Sequence, residues 1–320
     1  MGALVTGATG KTGCRVVKAL LGALGVAVGV TSRKPAPSRD GVTSVVFDWA
    51  GTGTWVGVAS DADTMYMVGP GKFDSPGELV EALLVGLPGV KRVAALSEIE
   101  AGAIEAGIID GNIWSNPWPD GGAVRRSGKE WTVVRSNWFY QSFNESPLFT
   151  GAMQARGKNM APVGNGRVSF VDARDLAEVA AITMTTGGHD GKTYLLTGPE
   201  TPTFGQVAAA LTEADCSVSH ADFAAQDMSA ALTKQGVPLP AGSTVRVPVR
   251  ADPQRTKQRD TDTVEELTGW PPRPFAALLS DELQKGRLTM RVPTGPPTPR
   301  HAARAKCAAN GAICLTRMSQ

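Results

Sequence analysis

Residues 2–13 read GALVTGATGKTG, and this stretch decides the fold. The run from Gly2 to Thr6 has the length and apolar character of a short buried strand. It passes directly into Gly7-Ala8-Thr9-Gly10-Lys11-Thr12-Gly13, a Gly-x-x-Gly-x-x-Gly turn. Behind the turn, residues 11–22 place Val16, Val17, Leu20 and Leu21 on one helical face. Strand, glycine turn and helix in that order give the glycine pattern its meaning. The chain must turn sharply, bring its backbone against a pyrophosphate and pack the helix on the strand. The helix start then offers unpaired amides and partial positive charge to the phosphates. The stretch therefore predicts a dinucleotide-binding unit.

The alternation continues outward from it. Residues 26–31, 42–47, 64–68, 91–96 and 131–135 read as strands, and 76–87 as a helix. Strands alternating with helices imply a parallel sheet with right-handed crossovers. Between 100 and 123, Pro117, Pro119 and repeated glycines leave room for a helix over 102–110 only. Beyond 145 the pattern changes. Residues 151–170 read as loop, with a turn at Gly164-Asn165-Gly166. Asp172 is placed to cap a helix running to about 185, with Asp175 in its first turn. A strand is expected over 193–197, and helices over 203–213, 222–235, 260–268 and 273–285. The predicted fold is α/β: a Rossmann-type doubly wound parallel sheet with a smaller mixed α/β C-terminal region. Its expected divisions are a nucleotide-binding part over 1–145, a substrate-binding region over 146–286, and a flexible tail over 287–320.

Composition fits this picture. The 320 residues are 42% hydrophobic, 19% charged and 6% aromatic, enough for a substantial core and unlike a disordered chain. The net charge of +2 hides an asymmetry. From Lys285 onward there are seven Lys or Arg and no acid, so the rest carries 25 basic and 30 acidic residues. The tail stretch 292–299, VPTGPPTP, cannot form a regular helix. Its basic residues are dilute and not interleaved with aromatics, so a nucleic-acid partner is not expected. Four cysteines without a Cys-x-x-Cys pair, and three histidines, argue against a structural zinc, and no metal is expected. The absence of a signal-peptide pattern and of any apolar run of membrane-spanning length leads to an expected cytoplasmic location.

The second strand ends Thr31-Ser32-Arg33-Lys34. An acid at this position would accept the 2′-hydroxyl of NAD; a hydroxyl beside a guanidinium suits a 2′-phosphate, so NADP(H) is the expected cofactor. Asp48 closes the third strand, where a side chain meets the adenine. Short-chain dehydrogenases protonate the product through a Tyr-x-x-x-Lys pair. Here the residues four beyond Tyr66, Tyr140 and Tyr194 are Pro70, Asn144 and Gly198, so the pair is absent. Ordinary ketone and alcohol chemistry is thereby disfavoured. Hydride addition to an iminium or dye cation gives a neutral product, and addition to a quinone gives a stabilised phenolate. Neither demands a strong general acid, and positioning against the nicotinamide supplies the acceleration.

The blocks LVTGATGKTG (4–13), FDW (47–49), VVRSNWFYQSF (133–143), GNGRVSFVDARDLAEVAA (164–181), YLLTGPE (194–200) and DTDTVEELTGWPPRPFAAL (260–278) occur in order. Together they resemble the NmrA-like atypical short-chain dehydrogenases over roughly residues 2–285. Within that group the chain is similar to the branch of agroclavine and festuclavine dehydrogenases of ergot alkaloid formation, triphenylmethane reductase and NAD(P)H:quinone oxidoreductases. The resemblance implies that Gly7, Thr9, Gly10, Lys11, Thr12 and Gly13 hold the pyrophosphate. It brings Ser32 and Arg33 to the 2′-phosphate, and Asp48 and Trp49 to the adenine. Val68, Gly69 and Pro70 pass the ribose or pyrophosphate. Ser97 and Asn137 stand beside the nicotinamide as the implied catalytic residues, with Ser136 adjacent. Trp138, Phe139, Phe143 and Phe170 border the substrate. The expected activity is NADPH-dependent reduction of an iminium, quinone or similar conjugated small molecule by a monomer or homodimer. The alternative is a non-catalytic regulator that binds NAD(P) and senses its redox state.

Overall fold

The computed structural model describes residues 2–99, 122–221 and 261–285, apart from 25, 35, 36, 39, 60, 71–74, 147, 148, 151, 152, 154–156, 161–163 and 215. The helices expected over 102–110 and 222–235, and the tail over 287–320, lie outside the described residues.

Strand β1 (Gly2–Val5) leads through the glycine turn into α1 (Gly13–Leu24). Strands β2 (Ala27–Ser32), β3 (Val42–Val46) and β4 (Thr64–Met67) follow, then α2 (Pro76–Val85). Next come β5 (Arg92–Glu98), the short α3 (Gly122–Arg125), β6 (Glu130–Ser136) and the short α4 (Ser142–Glu145). Then come β7 (Lys158–Met160), α5 (Ala173–Thr185), β8 (Lys192–Leu196), α6 (Phe204–Glu213) and β9 (Ser219–Ala221). Helices α7 (Thr263–Thr268) and α8 (Phe275–Gln284) close the described chain.

Seven strands form one parallel sheet in the order β3-β2-β1-β4-β5-β6-β8. The order reverses between β1 and β4, the topological switch point where doubly wound sheets bind ligands. The two-residue strand period sorts the core. Ala3, Val5, Tyr66 and Ala94 face α1 and α5, meeting Val16, Leu20, Leu176 and Ala180. Leu4, Met65, Met67, Val93 and Ala95 face the other way, onto Val80, Leu83 and Leu84 of α2 and Val124 of α3. The Rossmann-type architecture is thus as the sequence predicts.

Two details differ from the sequence reading. The strand expected in the C-terminal region, β8, is the seventh strand of the main sheet, paired to β6 from Thr132↔Lys192 to Ser136↔Leu196. Helix α5 likewise packs beneath that sheet against α1. The chain leaves the sheet after β6 and returns to it, a long-range pairing that local pattern does not encode. Residues 158–160, read as loop, pair in parallel with 219–221. A separate aromatic lobe gathers Tyr140, Phe143, Phe149, Phe170, Phe204 and Phe275 beside the carboxyl end of β6.

Candidate cofactor and substrate site

Because the pairings are all parallel, Gly7, Arg33, Asp48, Val68 and the ends of β5 and β6 share one edge of the sheet. Gly7 turns the chain with φ 61°, a conformation that favours glycine, and its Hα side lies against Val68. A Cβ at Gly13 would stand 2.3 Å from the Gly7 carbonyl oxygen, so only glycine lets α1 start this close to β1. A Cβ at Gly10 would meet only that same oxygen, at 3.1 Å, and would otherwise fill the exposed space before α1. The Gly10 amide donates to the Gly7 carbonyl at 2.8 Å and closes the turn. The Lys11 and Thr12 amides make no hydrogen bond to another described residue. Amides so placed at the start of a three-turn helix are suited to an anion. Thr6 Oγ1 accepts from the Val68 amide at 2.8 Å, pinning the ends of β1 and β4 together.

Arg33 and Lys34 are exposed where β2 ends, and the Lys34 amide donates to Ser32 Oγ at 3.3 Å. Asp48 sits in a closed turn. Its Oδ1 accepts from the Ala50 amide, and its carbonyl accepts from the Trp55 indole at 2.9 Å. Trp55, absent from the sequence reading, completes an aromatic group with Phe47 and Trp49. Its spacing carries no periodic signal, because it lies in a single 3₁₀ turn, Thr52–Trp55. Gly69 is half-buried and Pro70 buried beyond β4.

Ser97 is buried at the end of β5, in register with Arg135. Asn137 follows β6, and its side chain accepts from the Trp138 amide at 2.9 Å and donates to Ser169 Oγ at 3.2 Å. Trp138 and Phe139 are half-buried. Phe143 and Phe170 are enclosed in the aromatic lobe, 1% and 0% exposed, with ring centroids 5.3 Å apart. The site residues thus fall into two groups: an exposed glycine turn with Arg33, and a packed region beyond β6.

Lys11 joins the groups. Its ammonium donates to Ser142 Oγ at 3.2 Å. Burial pulls its pKa below the usual lysine range; Glu145 opposes that shift. Tyrosine chemistry is also set by packing. Burial pushes the hydroxyls of Tyr66 and Tyr140 well above the usual range, with Glu200 adding to the shift at Tyr140. The Tyr194 hydroxyl lies 2.8 Å from His189 Nδ1.

Sequence reasoning missed the charged clamp at the start of α5. Asp172 caps the helix as expected, accepting from the Arg174 amide at 2.8 Å. It also accepts from Gln141 Nε2 at 2.7 Å and pairs with Arg174, which reaches Asp281 of α8. Asp175, 1% exposed, pairs with Arg273, which also bonds Glu178. Burial pushes Asp175 up to about 6 against the pull of Arg273. Nearby, Glu200 accepts from the Tyr140 hydroxyl at 3.0 Å and the Phe275 amide at 2.8 Å, so the YLLTGPE block serves as a cap for α8.

The fold defines a Rossmann-type α/β protein. Several known proteins are similar to it. The chain is 32% identical over 154 residues to the NAD(P)H azoreductase of Xenophilus azovorans, covering 48% of the chain and 53% of that protein. It thus spans about half the length of that relative. It is 28% identical to festuclavine synthase I of Penicillium roqueforti, over 88% of the chain and 98% of the relative. Among solved structures, triphenylmethane reductase from Citrobacter sp. matches with TM-score 0.68 and 20% identity, over 89% of this chain and all of that one. The NADPH-dependent quinone oxidoreductase of Escherichia coli matches with TM-score 0.68 and 22% identity, over 88% and 99%. No protein-family model matches the chain. Festuclavine synthase I, triphenylmethane reductase and the quinone oxidoreductase are of the branch that the sequence blocks resemble. Among the described residues, no helix is long and apolar enough to cross a membrane.

Proposed function

We propose that this protein is an NADPH-dependent reductase that delivers hydride to an iminium, a quinone or a similar conjugated small molecule. The observation that carries the reading is the meeting, on one sheet edge, of an open glycine cradle and an exposed Arg33. The azoreductase and quinone oxidoreductase relatives, named for NAD(P)H and NADPH, point the same way.

The cradle fits a dinucleotide: Gly10 leaves room for a pyrophosphate, and the Lys11 and Thr12 amides, which bond no other described residue, are suited to bind it. Thr9, Thr12 and the Gly7–Gly13 backbone would hold the phosphates. Ser32 and Arg33 would hold the 2′-phosphate, Asp48 and Trp49 the adenine, and Val68, Gly69 and Pro70 the adjoining ribose. NADPH, when bound, supplies the hydride. Ser97 and Asn137 would orient the nicotinamide. Trp138 and Phe139, half-buried, would border the acceptor and exclude water, whereas Phe143 and Phe170 would support that wall from within the lobe. Neither Tyr66 nor Tyr140 is poised as general acid, since burial holds both protonated. This supports acceptors whose reduced form needs no strong acid.

The second reading, a nicotinamide-sensing regulator, is favoured by the dense packing of Phe143 and Phe170, which fills space an enzyme would keep open. Calorimetric titration with NADPH and NADP⁺, followed by NADPH oxidation against quinones, cyclic iminium ions and triphenylmethane dyes, separates the two. Binding with turnover of one acceptor class establishes the reductase. Unequal affinities without turnover establish the sensor. No binding defeats both.

A further inference from the structure

The glycine turn is fastened to the aromatic lobe by two side chains. Lys11 Nζ donates to Ser142 Oγ at 3.2 Å. One helical turn on, Arg15 pairs with Glu145, and its Nη1 also donates back to the Lys11 carbonyl at 2.6 Å. Both partners stand on α4, the four residues Ser142–Glu145. That short helix carries Phe143, whose ring touches those of Phe149, Phe170, Phe204 and Phe275. The bonds span 131 and 130 residues of sequence.

The placement of Lys11 is chemically costly. Burial disfavours its charge and the neighbouring Arg15 disfavours it further, while Glu145 favours it. The positive end of α1 adds to the cost. A phosphate turn of this shape needs no side chain at that position, because its anion donors are backbone amides. The ammonium is committed to α4.

We propose that Lys11 and Arg15 are positioning residues that tether α4 to the phosphate turn, so that nucleotide binding orders the substrate side of the site. The coupling rests on the reading that the turn binds a dinucleotide; the tether does not. A nucleotide that stiffens the Gly7–Gly13 turn then also stiffens α4, and through Phe143 the lobe that backs Trp138, whose ring lies 5.4 Å from that of Phe149. The readouts are built in. The amides of Phe143, Glu145 and Ser146 donate to Tyr140, Gln141 and Ser142 carbonyls, so their hydrogen exchange reports the opening of α4.

The test is amide exchange of the full chain, read by mass spectrometry over 139–149, for wild type, Ser142→Ala, Glu145→Gln, the double variant, Lys11→Met and Lys11→Arg. Without nucleotide, the double variant exchanges roughly tenfold faster at 142–146, while β5 is unchanged. Lys11→Met resembles Ser142→Ala, and Lys11→Arg restores most of the protection. With saturating NADPH, the wild type gains protection at both 6–15 and 142–146, and the double variant gains it at 6–15 alone. Unchanged exchange in the nucleotide-free double variant overturns the tether. Tight NADPH binding with no change at 142–146 in wild type overturns the coupling. So does a Lys11→Met variant whose NADPH affinity falls over tenfold further than that of Ser142→Ala, because that assigns the ammonium to the phosphates. Failure of the wild type to bind NADPH in calorimetry overturns the dinucleotide reading itself and the coupling with it.

Discussion

The turn between β1 and α1 and the lobe beyond β6 are held by opposite means. In the turn, partners are neighbours in sequence: Gly10 bonds Gly7, Val16 bonds Thr12, and Gly13 clears the Gly7 carbonyl by lacking a side chain. In the lobe, partners are remote: Arg273 meets Asp175 98 residues away, and Arg174 meets Asp281 at 107. The first is backbone geometry and tolerates no added atom at Gly13. The second is paired charge and stacked aromatic rings, whose strength depends on burial and on pH. The two regions should therefore fail in different ways.

The largest effect is expected at Gly13. Gly13→Ala forces a Cβ to 2.3 Å from a backbone oxygen that cannot move without opening the turn. It should cost about 3 kcal/mol in urea unfolding. Gly10→Ala meets the same oxygen at 3.1 Å and nothing else, so it should keep nearly all stability while losing nucleotide affinity at least about tenfold. Equal stability losses at the two glycines would contradict the division of labour within the turn.

In the lobe, Arg273→Ala leaves the carboxylate of Asp175 buried without its ion pair. Because the guanidinium is itself one-third exposed, the loss should be about 2–3 kcal/mol rather than the full cost of breaking a buried pair. Thermal unfolding should show it as a lower midpoint, with nucleotide affinity little changed. A variant as stable as wild type would mean that the clamp is merely a surface pair.

The contrast also explains what the sequence made legible. The glycine turn, the alternation of strands and helices around it and the Asp172 cap are local, and periodicity with turn chemistry reads them directly. The return of β8 to the sheet is non-local, and its apolar run fits a separate small region equally well. Asp175 looked like an ordinary first-turn acid, because its partner lies at Arg273 in a Pro-rich segment. Phe143 and Phe170 looked like pocket walls, because apolar residues beside an active edge and apolar residues in a core share one composition. Nothing adjacent to Lys11 in sequence announces its bond to Ser142.

A smaller effect separates the clamp from its surroundings by pH. Burial raises Asp175 to about 6, above the 3.8 expected of an unfolded chain. Between those values the folded protein holds a proton that the unfolded chain releases. Stability should therefore be full below about pH 4 and fall as pH rises through 6, by on the order of 2 kcal/mol. Asp172 is shifted the other way, so its contribution is lost only below that window. Asp175→Asn should flatten the profile between pH 4 and 6. A profile unchanged by that substitution would place the titration elsewhere.

The smallest effect expected is at the rim of the crevice. Arg33 is exposed beyond β2, and it has room to meet a 2′-phosphate without moving the fold. One charge-assisted contact of this kind is worth about 1.5 kcal/mol, near a tenfold change in affinity. Arg33→Ala should thus raise the NADPH dissociation constant about tenfold and leave that for NADH within about twofold. Urea unfolding should be unaltered, because the side chain is exposed. Losses equal for both nucleotides would remove Arg33 from the 2′-phosphate and shift cofactor choice to Ser32 and Lys34. A change in stability instead would show that this rim, unlike the turn beside it, depends on a side chain for its shape.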